Sequence, residues 1–231
     1  MDEQGLRTPS ARVLRAVAVV CAALFIVVWQ AWVHVPALGW FDVDAALLLD
    51  TVRAPLLDAL ARGLAAVGDT LGVLATTAVA AGMLLAKRRC RDASFVAGTV
   101  AVGVALSTVV KGLVDRVRPG GATLVELPSS GSFPSGHVVA AACLAGALAM
   151  LVCLDPNTDL RRRVGALAAA AAWTLVMGVS RVYAGVHFAS DVLSGALLGT
   201  FVVCAASALR VASGERRAAR AGTGTFTQRE A

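Results

Sequence analysis

Residues 93–112 read ASFVAGTVAVGVALSTVVKG, and this stretch decides the fold because it is long enough to cross a bilayer as one helix. A membrane-spanning helix needs about 20 predominantly apolar residues. Five further stretches qualify, at about 13–34, 68–86, 137–154, 164–183 and 190–209. They use up most of the chain, so the sequence predicts an all-α integral membrane protein, a bundle of six transmembrane helices without a separate soluble module.

The composition supports the same fold class. Hydrophobic residues make up 58% of the 231 residues, charged residues make up 16%, and the mean hydropathy is +0.74. Such values exclude an ordinary soluble domain. We expect a disordered cytoplasmic N-terminus at 1–12, a six-span domain at 13–210 and a disordered cytoplasmic tail at 211–231.

The first apolar stretch has a second interpretation, as a cleavable signal peptide with Arg12 and Arg15 as its basic region. The apolar run from Ala16 to Val33 is longer than a usual signal core. This length favours a retained membrane anchor.

The basic residues are divided unevenly between the two faces of the predicted bundle. Six spans put both termini on one side with the loops 87–92 and 155–163, and that side holds fifteen of the 21 Lys and Arg residues. By the positive-inside rule the chain is a multi-pass protein of the plasma (inner) membrane with cytoplasmic termini. The net charge of +6 then follows from topology and from anionic lipid headgroups, and it implies no nucleic-acid partner. The sequence leaves the oligomeric state open.

Between the first and second spans, residues 38–66 keep apolar side chains at helical spacing among several Asp and Arg residues. This pattern predicts one or two amphipathic helices at the outer interface, broken near Pro55. The segment either packs on the bundle to close its surface or borders lateral access for a lipid substrate. The next outer connection, 113–134, is rich in Gly and Pro and is expected to be irregular.

Three short polar clusters lie at the ends of spans. They are Lys111-x6-Arg118-Pro119, Pro134-Ser135-Gly136-His137 and Ser180-Arg181-x5-His187-x3-Asp191. Charged groups near a membrane core are costly, so their concentration indicates a functional site. In the predicted topology all three clusters fall on the outer side, which allows them to form one site.

His187 and Asp191 are four residues apart at the mouth of the last span. On a helix they would share one face, about 6 Å apart along the axis. The carboxylate could then fix the imidazole tautomer and leave the other ring nitrogen free as a base or a nucleophile. The structural alternative is a hydrogen-bonded pair that caps the helix.

The second cluster precedes a span. Ser135 is a good N-cap residue, and Gly136 allows a close approach to the backbone. The start of a helix is an anion site, and His137 in its first turn could protonate a leaving oxygen. The alternative is an ordinary capped helix start with an interfacial histidine.

The remaining cations have structural alternatives as well. Lys111, Arg118 and Arg181 at span ends could simply reach the headgroups. For Arg116 and its neighbour Asp115 we expect only a local salt bridge or loop solvation.

Several cations, helix-start amides, a nucleophile and an acid together suit a transferring phosphoryl group. The outer side has no acidic cluster typical of Mg²⁺ sites and no His/Cys set typical of Zn²⁺ sites. The five cysteines likewise indicate neither a disulfide nor a metal site. We therefore predict metal-independent chemistry without a cofactor.

The three clusters, in this order, resemble the type 2 phosphatidic acid phosphatase superfamily, which includes membrane lipid phosphatases and soluble vanadium haloperoxidases. The resemblance covers about residues 55–210. It implies that His187 attacks phosphorus to form a phosphohistidine, that Asp191 orients it and that His137 protonates the leaving group. It also implies that the phosphate oxygens are held by a set of five residues: Lys111, Arg118, Ser135, Gly136 and Arg181. The sequence departs from the family at Phe188-Ala189, where many relatives carry an aromatic residue and then proline, and this would loosen the start of the last span.

The implied function is a membrane phosphatase acting on a lipid phosphate or diphosphate. Its partners are that substrate and the membrane lipids, and candidate substrates are isoprenyl diphosphate, phosphatidic acid and phosphatidylglycerol phosphate. One alternative is a phosphotransferase that passes the phosphate to another lipid or sugar. The other is a lipid-phosphate binder or transporter without turnover, although binding alone requires neither a nucleophile nor an acid.

Overall fold

The computed structural model describes residues 8–224, with side chains described to residue 217. Within this part the chain is helical without strands, as predicted. The helices are α1 (Ala11–His34), α2 (Pro36–Thr51), α3 (Pro55–Gly68), α4 (Thr70–Ala86), α5 (Cys90–Val114), α6 (Gly136–Cys153), α7 (Leu160–Tyr183) and α8 (Ala189–Gly224).

Five of these helices, α1, α5, α6, α7 and α8, are long and apolar enough to cross a membrane. The sixth crossing is a bent pair, because α3 and α4 meet at 67° around Asp69. The Asp69 side chain accepts a hydrogen bond from Gly72 N–H at 2.7 Å and so caps α4. The prediction of six spans holds only when α3 and α4 are counted together.

The outer segment forms two helices, as its pattern predicted. Pro36 and Pro55 each stand in the first turn of a helix, where the missing N–H costs nothing. Tyr183 at the end of α7 fastens the second of them, since its hydroxyl accepts from Ala54 N–H at 3.1 Å and donates to Asp58 at 2.7 Å. The segment therefore packs on the bundle.

The centre of the bundle is α6, which packs against α5, α7 and α8. Small residues bring the backbones close: a side-chain carbon on Gly199 of α8 would lie 2.5 Å from Ala142, and one on Gly103 of α5 would lie 2.4 Å from the Cys143 sulfur. Such close approach is typical of helix pairs in membranes.

The structure differs from the sequence prediction at the C-terminal end of the last helix. The sequence predicts a disordered tail from residue 211, whereas α8 continues without a break past Arg210 to Gly224. The remainder, 225–231, lies outside the described residues, as does 1–7 of the predicted disordered N-terminus.

Candidate active site

The structure brings the three polar clusters to one end of the bundle. Lys111 lies in the last turn of α5 and Arg181 in the last turn of α7, while His137 and Asp191 lie in the first turns of α6 and α8. Because α5 and α7 end where α6 and α8 begin, side chains from all four helices meet there.

Direct contacts join the clusters. An Arg118 guanidinium nitrogen lies 3.4 Å from His187 Nε2, which joins the first cluster to the third. Ser135 N–H donates to the Asp191 carbonyl at 3.0 Å, which joins the second to the third. Gly136 packs on Lys111, whose Cε would lie 3.6 Å from an added side-chain carbon.

The second cluster is positioned by Phe133, the residue before it. Its ring is fully buried between α1, α5, α6 and α8, with its centroid 5.5 Å from that of Phe25 and 6.4 Å from that of Trp32. The connection between α5 and α6 is irregular, as predicted. The buried ring therefore fixes the end of this connection, directly where Ser135 and His137 enter the site.

His187 and Asp191 meet, but the expected geometry is wrong, since α8 begins at Ala189 and His187 lies before it. Asp191 Oδ2 accepts from Phe188 N–H at 3.0 Å and lies 3.4 Å from His187 Nδ1. Asp191 is the third residue of α8 and Phe188 is its N-cap. An acidic side chain at the third position that accepts from the N-cap amide forms one half of a capping box. This bond holds the start of α8 at Phe188-Ala189, where the sequence departs from the family pattern.

The His187 imidazole is oriented by its two neighbours. With Nδ1 directed to a carboxylate and Nε2 to a guanidinium, the proton belongs on Nδ1 and the lone pair on Nε2. The side chain is 3% exposed. Burial, together with the charges of Lys111 and Arg118, lowers the pKa of His187 to about 4 against the opposing effect of Asp191. Near neutral pH the ring is uncharged and Nε2 carries a lone pair.

His137 lies in the first turn of α6 against the end of α3. Its Nε2 is 3.3 Å from the Ala65 carbonyl oxygen, and its ring packs so closely on Gly68 that an added side-chain carbon there would lie 2.4 Å from Cδ2. The ring also interacts electrostatically with Arg181 and His187. The bent pair α3–α4 thus forms the wall behind His137.

Lys111 and Arg118 bind main-chain carbonyls. Lys111 Nζ donates to Gly131 O at 2.7 Å. Arg118 donates to Ser130 O at 3.1 Å and to Val186 O at 2.9 Å. Carbonyls orient the two side chains without neutralising them, so both positive charges remain available to an anion.

Arg181 and Ser135 are both buried, and each has a polar group that suits a bound anion. Arg181 donates to the Ala61 carbonyl at 2.8 Å. In residues 8–217 neither Lys111, Arg118 nor Arg181 forms an ion pair with a carboxylate. Ser135 occupies the N-cap position, yet its hydroxyl makes no capping bond and has no partner in this part of the chain. A buried hydroxyl without a partner suits an oxygen of a bound anion.

The expectation for Arg116 is wrong. It makes no local salt bridge and is not solvated: its side chain is 4% exposed and pairs with Asp191 at 2.7 Å and with Asp42 at 2.8 Å. Asp42 lies on α2 and also binds Ser190 at the start of α8. Sequence reasoning missed Asp42 and Ser190 because partners 74 and 148 positions apart leave no local signal.

The comparisons with known proteins show the family and a similar fold. Residues 92–215 match the family model of the PAP2 superfamily. The chain is 32% identical over 177 residues to phosphatidylglycerophosphatase B of Bacillus subtilis (strain 168), covering 76% of this chain and 86% of the relative. It is 33% identical over 174 residues to decaprenylphosphoryl-5-phosphoribose phosphatase of Mycobacterium tuberculosis (strain ATCC 25618 / H37Rv), covering 71% of this chain and 86% of the relative.

Two solved structures are similar. The transmembrane PAP2-type phosphatidylglycerolphosphate phosphatase from Bacillus subtilis superimposes with a TM-score of 0.73 at 28% identity, over 87% of this chain and 96% of that one. Aquifex aeolicus LpxE superimposes with a TM-score of 0.55 at 24% identity, over 73% and 94%, which is a likeness of fold alone.

Proposed function

The chain belongs to the PAP2 superfamily and is a multi-pass membrane phosphatase, and we propose that it hydrolyses a lipid phosphate or diphosphate through a phosphohistidine on His187. One observation carries the proposal. His187 stands between a carboxylate at 3.4 Å on Nδ1 and a guanidinium at 3.4 Å on Nε2. The nitrogen that is free to attack therefore faces a cation that can hold the phosphoryl oxygens.

In the first step Nε2 attacks phosphorus, an N–P bond forms and the P–O bond to the leaving group breaks. Asp191 stabilises the charge that develops on the imidazole. Lys111, Arg118 and Arg181 bind the phosphoryl oxygens, with the Ser135 hydroxyl and the backbone at Gly136. These groups are already oriented by the fold, so they stabilise the transition state with little rearrangement.

His137 supplies the proton for the leaving oxygen. Its Nε2 lies against the Ala65 carbonyl, which would hold one N–H of the imidazolium and leave the Nδ1 proton for the leaving group. In the second step a water molecule gives a proton back to His137 and attacks phosphorus, the N–P bond breaks and inorganic phosphate is released. Proton transfer of this kind contributes about 10²–10⁴-fold. No step requires a metal ion.

A lipid substrate is supported by an apolar cavity of about 180 Å³ next to His137. It lies between α4, α6 and α7, and its lining includes Val73, Leu144, Leu148, Trp173 and Met177. All three helices belong to crossings, and an apolar lining of this kind suits an acyl or prenyl chain. We propose that part of the hydrocarbon chain lies there while the phosphate reaches His187.

The uneven division of basic residues supports an extracytoplasmic site. Within residues 8–224, the end of the bundle that holds His187 carries six Lys and Arg residues, and the other end carries thirteen. We propose that the termini are cytoplasmic and that substrate is taken from the outer leaflet.

A substrate panel tests the proposal. The purified chain is assayed in EDTA for phosphate release from phosphatidylglycerol phosphate, phosphatidic acid, isoprenyl diphosphate and decaprenylphosphoryl-5-phosphoribose, the first and last chosen from the names of the two relatives. We expect turnover of at least one of them by the unmodified chain and no turnover by His187→Ala. A requirement for a divalent cation would contradict the metal-free mechanism. Normal turnover by folded His187→Ala would contradict the nucleophile.

The same assay separates the alternative functions. With labelled lipid diphosphate and candidate acceptors present, a labelled acceptor in place of free phosphate identifies a phosphotransferase. Binding of a lipid phosphate without turnover by the unmodified chain identifies a binder or transporter.

A further inference from the structure

We propose that Arg116, held in place by Asp42, is a positioning residue for the Asp191–His187 pair, and that the interface helix α2 is therefore part of the active site. The inference rests on the proposed role of His187. It concerns Arg116, which occupies an unspecified position within the first cluster, and Asp42, which lies outside all three clusters.

The first step concerns the two oxygens of the Asp191 carboxylate, which have different partners. Oδ1 accepts from Arg116 Nη1 at 2.7 Å, while Oδ2 accepts from Phe188 N–H at 3.0 Å and faces His187 Nδ1 at 3.4 Å. The guanidinium thus occupies the oxygen that the imidazole does not use. Rotation of the carboxylate would break the bond to Arg116, so Arg116 fixes the direction in which Asp191 meets His187.

The second step is the anchoring of Arg116 itself. Its Nη2 donates to Asp42 Oδ2 at 2.8 Å, and its planar group lies over the rings of Trp32 and Phe188, with centroid distances of 4.7 and 4.3 Å. The contacts with two ring faces and two carboxylates restrict the guanidinium to one orientation. Planar, forked donors of this kind belong to arginine, and lysine cannot reproduce them.

The third step connects α2 to the nucleophile segment. Asp42 is fully buried; its Oδ1 accepts from Ser190 N–H at 2.8 Å and its Oδ2 from the Ser190 hydroxyl at 2.5 Å. Ser190 stands between Phe188 and Asp191, so Asp42 holds the start of α8 through both Arg116 and Ser190. The neighbouring Trp40 and Phe41 are exposed, as expected for a helix anchored in the membrane interface.

The charges explain why Arg116 differs from the other cations of the site. It is neutralised by two carboxylates, whereas Lys111, Arg118 and Arg181 are paired with none in residues 8–217. A fully paired, buried guanidinium has no capacity left for substrate phosphate. Arg116 therefore acts through Asp191 rather than on the substrate.

The test compares kcat with KM for Arg116→Gln, Arg116→Lys and Asp42→Asn in the full chain, with the lipid phosphate that the substrate panel identifies. We expect Arg116→Gln to lower kcat by about 10²-fold, as for a misplacement of about 1 Å at the reacting group, with KM almost unchanged. Arg116→Lys should recover only part of this loss. Arg53→Gln is the matched control, since it removes another arginine paired with an aspartate on the same face, and it should leave kcat and KM unchanged.

Asp42→Asn keeps the shape of the side chain and covers the case in which Arg116→Gln does not fold. We expect it to lower kcat in the unmodified background and to lower it less in the Arg116→Gln background, because the contact between Asp42 and Arg116 is already lost there and only the contacts with Ser190 remain to be weakened. A folded Arg116→Gln or Asp42→Asn protein with normal kcat would overturn the inference, as would a loss that lies in KM. The reference is His187→Ala: if it is active the proposed function fails, and if it is inactive while Arg116→Gln is fully active, only the positioning role fails.

Discussion

A methyl group added at Gly68 tests the role of His137 without substitution of any residue in the three polar clusters. In Gly68→Ala the new carbon would lie 2.4 Å from His137 Cδ2 and 3.2 Å from the Met177 sulfur. Ordinary carbon contacts begin at about 3.4 Å, so the imidazole must move by about 1 Å. A displacement of that size at a catalytic group costs about 10²-fold in rate. We expect kcat to fall by about that factor for a lipid phosphate.

The assay uses two leaving groups. A lipid alkoxide needs a proton as it leaves, whereas the phenolate released from p-nitrophenyl phosphate is stable without one. If His137 is the general acid, Gly68→Ala and His137→Ala should lose much less activity with p-nitrophenyl phosphate than with the lipid. Equal losses with both substrates would instead indicate damage to the nucleophile.

Gly63→Ala is the matched control, because it adds the same methyl to the same helix with nothing within 4 Å. We expect it to behave as the unmodified chain. A folded Gly68→Ala protein that is as active as Gly63→Ala would refute the reasoning, since His137 could then shift by 1 Å without consequence.

Three further predictions concern pH, topology and stability. Because burial lowers the pKa of His187 to about 4, its imidazole signals, identified by NMR against His187→Ala, should titrate with a midpoint near pH 4; a midpoint near 6.5 would contradict the buried imidazole. The exposed Cys90 should resist a membrane-impermeant maleimide in intact cells and react after permeabilisation, whereas Glu126→Cys in a Cys90→Ser background should react in intact cells; the reverse pattern would invert the topology. Arg210→Ala removes an ion pair with Asp92 and a contact with the Phe95 ring, and should cost about 1–2 kcal/mol. Thermal unfolding would show this as a midpoint lower by a few degrees with kcat unchanged, and a loss of kcat in the folded protein would contradict a purely structural role.

The sequence predicted the parts of this molecule that depend on local pattern. Length and hydropathy located the crossings, and Pro55 located the break between α2 and α3. The meeting of Lys111, His137 and His187 followed from topology, because alternate span ends must lie on the same side. Their catalytic roles stay predictions.

The parts that failed depend on contacts between distant residues. Asp42 read as one of several charges on an amphipathic segment, and only the fold reveals that it is buried against Arg116 and Ser190. The helix after residue 210 was missed because hydropathy ends there while helical propensity does not: Ala, Glu and Arg are good helix formers. His187 was placed on a helix because spacing alone does not reveal where a helix begins.

Lys111, Arg118 and Arg181 are restrained by carbonyl oxygens that leave their charge intact. A phosphate-binding site formed by these three cations does not distinguish a phosphate ester from the inorganic phosphate produced by its hydrolysis, because both present the same oxygens. We therefore expect accumulated orthophosphate to occupy this phosphate-binding site and slow turnover. This product inhibition arises because carbonyl oxygens orient the cations without neutralising them.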